Sequence, residues 1–152
     1  MVDREQFLAE RRIAILATSE PDGSPYLTAV WYLWRDGAFH VPTGATSRKA
    51  RNAAARPGAS IAVDARGVVL AGVWATGPIE VVDGEDALAL NEEIHRRYLT
   101  EAGLADAALG GLLRGGDDVT LRLVPERWQD WDMEPVFGRR FSDPELAYPL
   151  AR

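Results

Sequence analysis

The chain opens on Asp3 to Glu10, where Asp3 is placed to cap and Phe7 and Leu8 fall on one side, the pattern of a short helix. Arg12 to Thr18 (RIAILAT) reads as a strand, and Pro21-Asp22-Gly23-Ser24 as a turn whose glycine tolerates positive φ. The β-branched and aromatic run Tyr26 to Arg35 (YLTAVWYLWR) predicts a second strand, antiparallel to the first by hairpin logic. Asp36-Gly37 then turns the chain into a third, Ala38 to Pro42.

The pattern changes at Thr46 to Arg56 (TSRKARNAAAR). Ala, Arg and Lys favour helix there, Thr46 or Ser47 can cap it, and Pro57-Gly58 ends it. Ala59 to Asp64 and Val68 to Val82 return to strand, the second long enough to bend or bulge at Gly72 or Gly77. Asp83 to Leu99 brings Ala87, Leu88, Leu90, Asn91, Ile94 and Tyr98 near one face of an amphipathic helix. Ala105 to Leu113 predicts a shorter helix, and Asp118 to Trp131 a closing strand with Val119, Leu121 and Leu123 inward.

Six strands with helices inserted and few βαβ alternations predict an antiparallel barrel or an α+β layer arrangement, against a doubly wound parallel sheet. No repeat or linker divides the chain, so residues 1–132 read as one domain and 133–152 as a tail. That tail sets Pro135, Pro144 and Pro149 among Phe137, Phe141 and Tyr148, a composition that suits either disorder or packing across another subunit.

Charge and composition narrow the partners. The 152 residues carry 17 basic and 23 acidic side chains, a net charge of −6, and no cysteine. Disulfides, zinc ribbons and thiol nucleophiles are excluded. Nucleic acid and anionic membrane reward dense positive charge and are not expected as partners. No apolar run approaches the roughly 20 residues of a spanning helix, and the first residues do not read as a secretion signal, so a cytoplasmic location is expected.

There is no GxSxG elbow, P-loop, HExxH or GxGxxG. His40 and His95 stand in no recognisable constellation and read as ordinary structural or surface histidines, so no side-chain catalyst and no metal site are expected. The strongest local signal is Pro42-Thr43-Gly44-Ala45-Thr46-Ser47-Arg48-Lys49-Ala50-Arg51-Asn52, a strand end running into a helix start. Helix N-terminal amides, the hydroxyls of Thr43, Thr46 and Ser47, and the cations of Arg48 and Lys49 can converge there on an oxyanion. A capped helix with a solvated basic face accounts for the same residues equally well. Two features favour the oxyanion: an acidic protein gathers Arg48, Lys49, Arg51 and Arg56 here, and of its 17 basic residues only Lys49 is lysine, a compact ammonium.

Two aromatic segments stand out besides. On a strand through Thr28 to Trp34, Trp31 and Leu33 face one way and Val30, Tyr32 and Trp34 the other. Such a surface suits core, a subunit interface, or the flank of a planar heterocycle. Trp128 and Trp131 in Glu126 to Asp132 (ERWQDWD) suit interface packing better than ligand contact.

These stretches together resemble the pyridoxamine 5′-phosphate oxidase-like superfamily of flavin-binding split β-barrels, and its actinobacterial branch of deazaflavin F420-dependent reductases in particular. The matching residues are Ile13 to Thr18, Asp22 to Pro25, Val30-Trp31-Tyr32, Thr43 to Asn52, Pro57, Ser60 to Asp64 and Pro125-Glu126-Arg127-Trp128; Ser47-Arg48-Lys49 with Arg51-Asn52 is the most specific part. The resemblance implies a mainly β, six-stranded antiparallel split barrel, homodimeric, with two cofactor sites at the subunit interface. It implies F420, with FMN as the alternative, its phosphate met by Thr43, Ser47, Arg48 and Lys49, with Pro42 and Asn52 also among the cofactor-binding residues. The ring would lie along Thr28, Ala29, Val30 and Trp31, with Trp131 of the other subunit covering it.

The implied activity is hydride transfer between that cofactor and a small unsaturated or aromatic substrate, a non-catalytic flavin or F420 carrier being the alternative. The C-terminal arginine and histidine with which the true oxidase binds its substrate phosphate are not reproduced between Trp131 and Arg152, which argues against vitamin B6 oxidation.

Overall fold

The computed structural model describes residues 2–65, 71–113, 115–138, 140 and 143–149. The strands are β1 (Ala14–Ser19), β2 (Pro25–Val30), β3 (Leu33–Arg35), β4 (Ala38–Gly44), β5 (Gly58–Asp64), β6 (Ala71–Val82), β7 (Asp118–Leu123) and β8 (Arg127–Asp132). The helices are α1 (Arg4–Ala9), α2 (Arg48–Ala55), α3 (Gly84–Tyr98), α4 (Glu101–Ala105), α5 (Ala107–Leu113) and α6 (Glu134–Phe137). Every strand pairing is antiparallel. The order β2-β1-β5-β6-β7-β4-β3, with β8 on β6, makes one curled half-barrel sheet. With helices of comparable extent, the fold is mixed α/β where mainly β was expected.

Local chemistry explains most boundaries. Asp3 accepts from the Gln6 amide at the start of α1, and Ser47 accepts from the Ala50 amide at the start of α2. Asp36 and Gly37, with φ of 52° and 71°, form the hairpin turn between β3 and β4.

Two expected strands are broken, giving eight among the described residues instead of six. The run Tyr26 to Arg35 divides at Trp31-Tyr32, where the Tyr98 hydroxyl takes the place of a neighbouring strand. It accepts from the Tyr32 amide at 3.3 Å and donates to the Arg12 carbonyl at 2.6 Å. The alternation survives the break: Val30, Tyr32 and Trp34 pack in the core, and Trp31 and Leu33 do not. Asp118 to Trp131 divides at Val124-Pro125-Glu126, because proline has no amide for the ladder. β7 stays between β4 and β6, while β8 continues along β6 alone.

β6 holds the corner. Its first part pairs with β5 and β8, and Ile79 to Val82 pair with β7. At Gly77 a Cβ would stand 1.9 Å from the Val124 carbonyl oxygen, so only glycine lets the two strands cross there. Residues 68–70 of the expected strand, and Phe141, lie outside the described residues.

The core lies on the concave face. Leu16, Phe39, Val41, Ile61, Val63, Val73, Leu121 and Leu123 are buried together with Phe7 and Leu8 of α1. Tyr32 is fully buried, its hydroxyl donating to the Leu8 carbonyl at 3.2 Å, and burial pushes its pKa up to about 12. Trp128 belongs here too, edge-on to Trp34 at 5.5 Å and beneath the Arg4 guanidinium.

α3 lies over β7 and β4. Its buried Asn91 donates to the Val119 carbonyl at 3.0 Å and accepts from the Thr120 hydroxyl at 2.7 Å, which fixes both the height and the rotation of the helix. Leu88, expected on the inner face, is 53% exposed, and His95 takes an inner position instead.

Candidate functional site

A cavity of about 560 Å³ opens where β2, β4, α2, α3 and α5 meet. Its walls are mainly apolar: Ile13, Ala29, Val30 and Trp31 on one side, Leu109, Leu112 and Leu113 of α5 on another. Its polar groups are Thr43, Lys49, Asn91, His95 and Asp118. A mostly apolar hollow with a few convergent polar groups is the usual form of a small-molecule site.

Each polar group is set by its element. β4 carries Pro42 and Thr43 to the rim, and α2 begins four residues later so that Lys49, in its first turn, turns back over the opening. The ammonium is half-buried, and desolvation alone holds its pKa below the ordinary lysine value. Among the described residues it has no ion pair, so an unneutralised cation faces the cavity.

The other cations of the basic cluster are committed elsewhere. Arg48 pairs with Glu20 at 2.8 Å and covers the Tyr26 ring, and the Glu20 pKa is held below its ordinary value because Arg48 and Asn52 donate to it. Arg51 donates to the Thr46 carbonyl at 2.6 Å. Arg56 donates to the Ser19 carbonyl at 2.6 Å and to the Asn52 side chain at 2.9 Å.

Of the residues singled out from sequence, Ala29, Val30, Trp31, Pro42, Thr43 and Lys49 meet in the cavity. Thr28, Ser47, Arg48, Asn52 and Trp131 do not line it. Ser47 caps α2 and accepts from the Thr43 hydroxyl at 2.9 Å, so it orients a cavity residue. Asn52 is buried against Thr18 and Glu20. Thr46 turns its hydroxyl to Asp117 at 3.1 Å. Trp131 covers Gly72 on the convex face, where a Cβ would stand 2.2 Å from the indole.

Sequence reasoning missed the α3 wall. Trp31 stacks on Tyr98 with ring centroids 4.9 Å apart and planes within 1°, and meets His95 edge-on at 6.3 Å. Asn91, His95 and Tyr98 are spaced by four and three, one helical stripe, and that spacing was the available signal. Burial raises the Asp118 carboxyl, the His95 charge pulls it down, and Asp117 adds to the rise.

The donor set fits a phosphorylated planar cofactor. An ammonium and a hydroxyl at one rim suit a phosphate, and the aromatic and aliphatic walls suit a ring system.

The conserved hypothetical protein Rv2991 of Mycobacterium tuberculosis is similar over 87% of this chain and 85% of its own, at 31% identity and a TM-score of 0.71. A structure described as F420 reductase is similar over 82% of this chain and 94% of its own, at 25% identity and a TM-score of 0.63. A pyridoxamine 5′-phosphate oxidase-related, FMN-binding protein of Nostoc punctiforme PCC 73102 shares the fold at 16% identity, covering 86% and 78% of the two chains with a TM-score of 0.62. Among curated proteins no sequence matches. The family profile described as pyridoxamine 5′-phosphate oxidase matches residues 3–132, so the chain belongs to this family of flavin- and deazaflavin-binding, oxidoreductase-associated split barrels.

Proposed function

We propose that the cavity binds F420, with FMN as the alternative, and that the protein is an oxidoreductase passing hydride between that cofactor and a small unsaturated or aromatic substrate. The observation that carries this reading is the half-buried Lys49 ammonium, which faces an apolar cavity with no ion pair among the described residues. In that low-dielectric position the cation gains from a phosphate oxygen far more than a solvated lysine would. Thr43 adds a hydroxyl beside it, and Ala29, Val30 and Trp31 offer a wall for the ring. The bound cofactor supplies the redox chemistry, while the chain supplies charge and orientation. A cytoplasmic setting, where such cofactors are kept reduced, goes with this reading.

The functional unit in this proposal is a homodimer. On the convex face, register aligns Ala29, Ile15, Ala62 and Trp74 in one row across β2, β1, β5 and β6. That row is largely apolar, begins at a cavity residue and leaves Trp74 38% exposed. Trp131 lies on the same face beside Gly72. Trp131 is outside the cavity of its own chain, so its contact with cofactor would be across the dimer. A second copy on this face closes an otherwise open cavity.

Absorbance titration of the purified protein with F420 and with FMN tests the cofactor. Micromolar affinity for F420 is expected. Micromolar binding of FMN with none of F420 would overturn the first choice, and binding of neither would overturn the reading. Turnover separates an oxidoreductase from a carrier: oxidation of the bound reduced cofactor by quinones, enones or nitroaromatics is expected to exceed the protein-free rate, and no excess would favour a carrier.

A further inference from the structure

Lys49 is the only lysine in the chain, so any chemistry of an ε-amine in this protein falls at one place. It stands in the first turn of α2, and its side chain lines the cavity of about 560 Å³. The same cavity is lined by the Trp31 indole and by Leu109, Leu112 and Leu113 of α5. A phosphate takes such a group as an ammonium. A carbonyl carbon takes it as a neutral amine, through the nitrogen lone pair.

Three features of this position work against the charged form. The cavity wall is mainly apolar, and the desolvation it imposes holds the amine's pKa below the ordinary lysine value. The N-terminus of a helix carries partial positive charge, and the first turn of α2 holds no acidic residue to offset it. Arg48 precedes Lys49 and Arg51 follows two residues on, both of them cations. No carboxylate answers: Glu20 is taken by Arg48 and Asn52, and among the described residues the Lys49 amine has neither an ion pair nor a hydrogen bond. A lysine desolvated in an apolar pocket and flanked by cations is the usual form of a carbonyl-reactive amine.

We propose that Lys49 is a covalent site of the cofactor-free protein, where its ε-nitrogen forms an imine with an aromatic aldehyde that enters the cavity. The nitrogen lone pair makes an N–C bond to the carbonyl carbon, and the carbonyl π pair passes to oxygen. The nitrogen gives up both of its protons, the oxygen leaves with two protons as one molecule of water, and a C=N bond remains. No oxidant or reductant takes part.

The wall selects the aldehyde. Trp31, stacked on Tyr98 with ring centroids 4.9 Å apart, and the α5 leucines suit an aromatic ring and not a hydrated polyol. Imine formation needs only the amine and the cavity, so it is independent of the proposed function. The two compete for one group: a cofactor phosphate on the ammonium withdraws the lone pair from reaction.

The test incubates cofactor-free wild type with benzaldehyde and sodium cyanoborohydride, which reduces the imine to a stable benzylamine, and locates the label by peptide mass spectrometry. The α-amine of Met1 and the ε-amine of Lys49 fall in different tryptic peptides. Two references give the rate of a solvated lysine: wild type unfolded in guanidinium chloride, and the double variant Lys49→Arg with Arg11→Lys, whose only ε-amine is at an exposed position. Lowering an amine's pKa by one multiplies its neutral fraction near pH 7 about tenfold, so folded Lys49 is expected to be benzylated roughly tenfold faster than either reference. Benzylation of Lys49 no faster than in the references overturns the proposal, and so does label on Met1 alone. Glyceraldehyde is expected to show no preference for the folded chain, and a preference equal to that of benzaldehyde overturns the aromatic class. Saturation with F420 or FMN is expected to protect Lys49. Benzylation unchanged by bound cofactor overturns the Lys49 to phosphate contact of the proposed function and leaves the imine site standing.

Discussion

At the scale of single residues, the clearest conflict is at Lys49. Its charged form is disfavoured in the folded protein by burial, and nothing among the described residues offsets that cost. Its folded pKa is below the unfolded value, so the charged lysine destabilises the empty fold at neutral pH. That penalty is relieved as pH rises through the folded pKa. Lys49→Met is accordingly expected to raise Tm of the cofactor-free protein, by about 2 °C, while weakening cofactor binding; calorimetry in the absence of ligand checks it. A lower Tm in that variant would mean that the ammonium has a stabilising partner.

His40 shows the opposite pH range. Its Nδ1 is buried without a partner, its Nε2 lies 3.3 Å from the Arg35 carbonyl, and burial holds its pKa below the ordinary value. The unfolded chain binds this proton first, so stability falls as pH drops through about 6.5, the unfolded pKa. Urea melts between pH 7.5 and 5.5 are expected to show that loss, and His40→Gln to reduce it. Sequence alone singled out Lys49 because it is the only lysine among so many arginines. It did not show that Arg48 and Arg56 are committed elsewhere, because their partners Glu20 and Ser19 lie across the fold; Arg51 turns back on the Thr46 carbonyl five residues earlier.

At the scale of elements, hydrophobic period and turn chemistry made most of the helices and strands legible, and long-range contacts decided the rest. Pro125 stood in the sequence as a strand breaker, and β7 and β8 divide there. The break at Trp31-Tyr32 had no local signal, because its cause is the Tyr98 hydroxyl, 66 residues away. α3 was legible as a helix, but not its rotation. The polar pair Asn91 and Thr120, not the leucines, turns His95 inward. Gly77 was legible as a place to bend, and the structure gives the reason as a carbonyl in the space of its missing side chain. Gly77→Ala is expected to destabilise the protein by at least about 3 kcal/mol, because backbone and not a flexible side chain would have to move. Thermal melts should show Gly58→Ala, where a Cβ meets nothing within 4 Å, to be far milder.

At the scale of the whole molecule, the curled sheet gathers β2, β4, α2, α3 and α5 around one cavity and leaves an apolar convex face beside it. Leu27, on edge strand β2, is 63% exposed on that face, paired in register with Ala17. In a homodimer that uses this face, Leu27→Arg places an unpaired charge in the interface. Light scattering is expected to find wild type dimeric and the variant monomeric, with cofactor affinity lost alongside. A wild-type monomer that binds cofactor fully would contradict the dimeric site. The half-barrel and the Thr43–Lys49 rim of the cavity were both within reach of the sequence, the rim through one strand-to-helix junction. The α3 wall was legible only as a stripe at helical spacing; that this stripe meets Trp31 is a contact between segments far apart in the chain.

The central claim is that Lys49 holds the cofactor phosphate in this cavity, and the ratio of F420 dissociation constants for Lys49→Ala and wild type tests it most directly. Loss of a charge-assisted contact of about 1.5–3 kcal/mol predicts affinity weaker by roughly 10- to 100-fold, with the melting behaviour of a folded protein retained. Equal affinity in a folded Lys49→Ala variant would contradict the account.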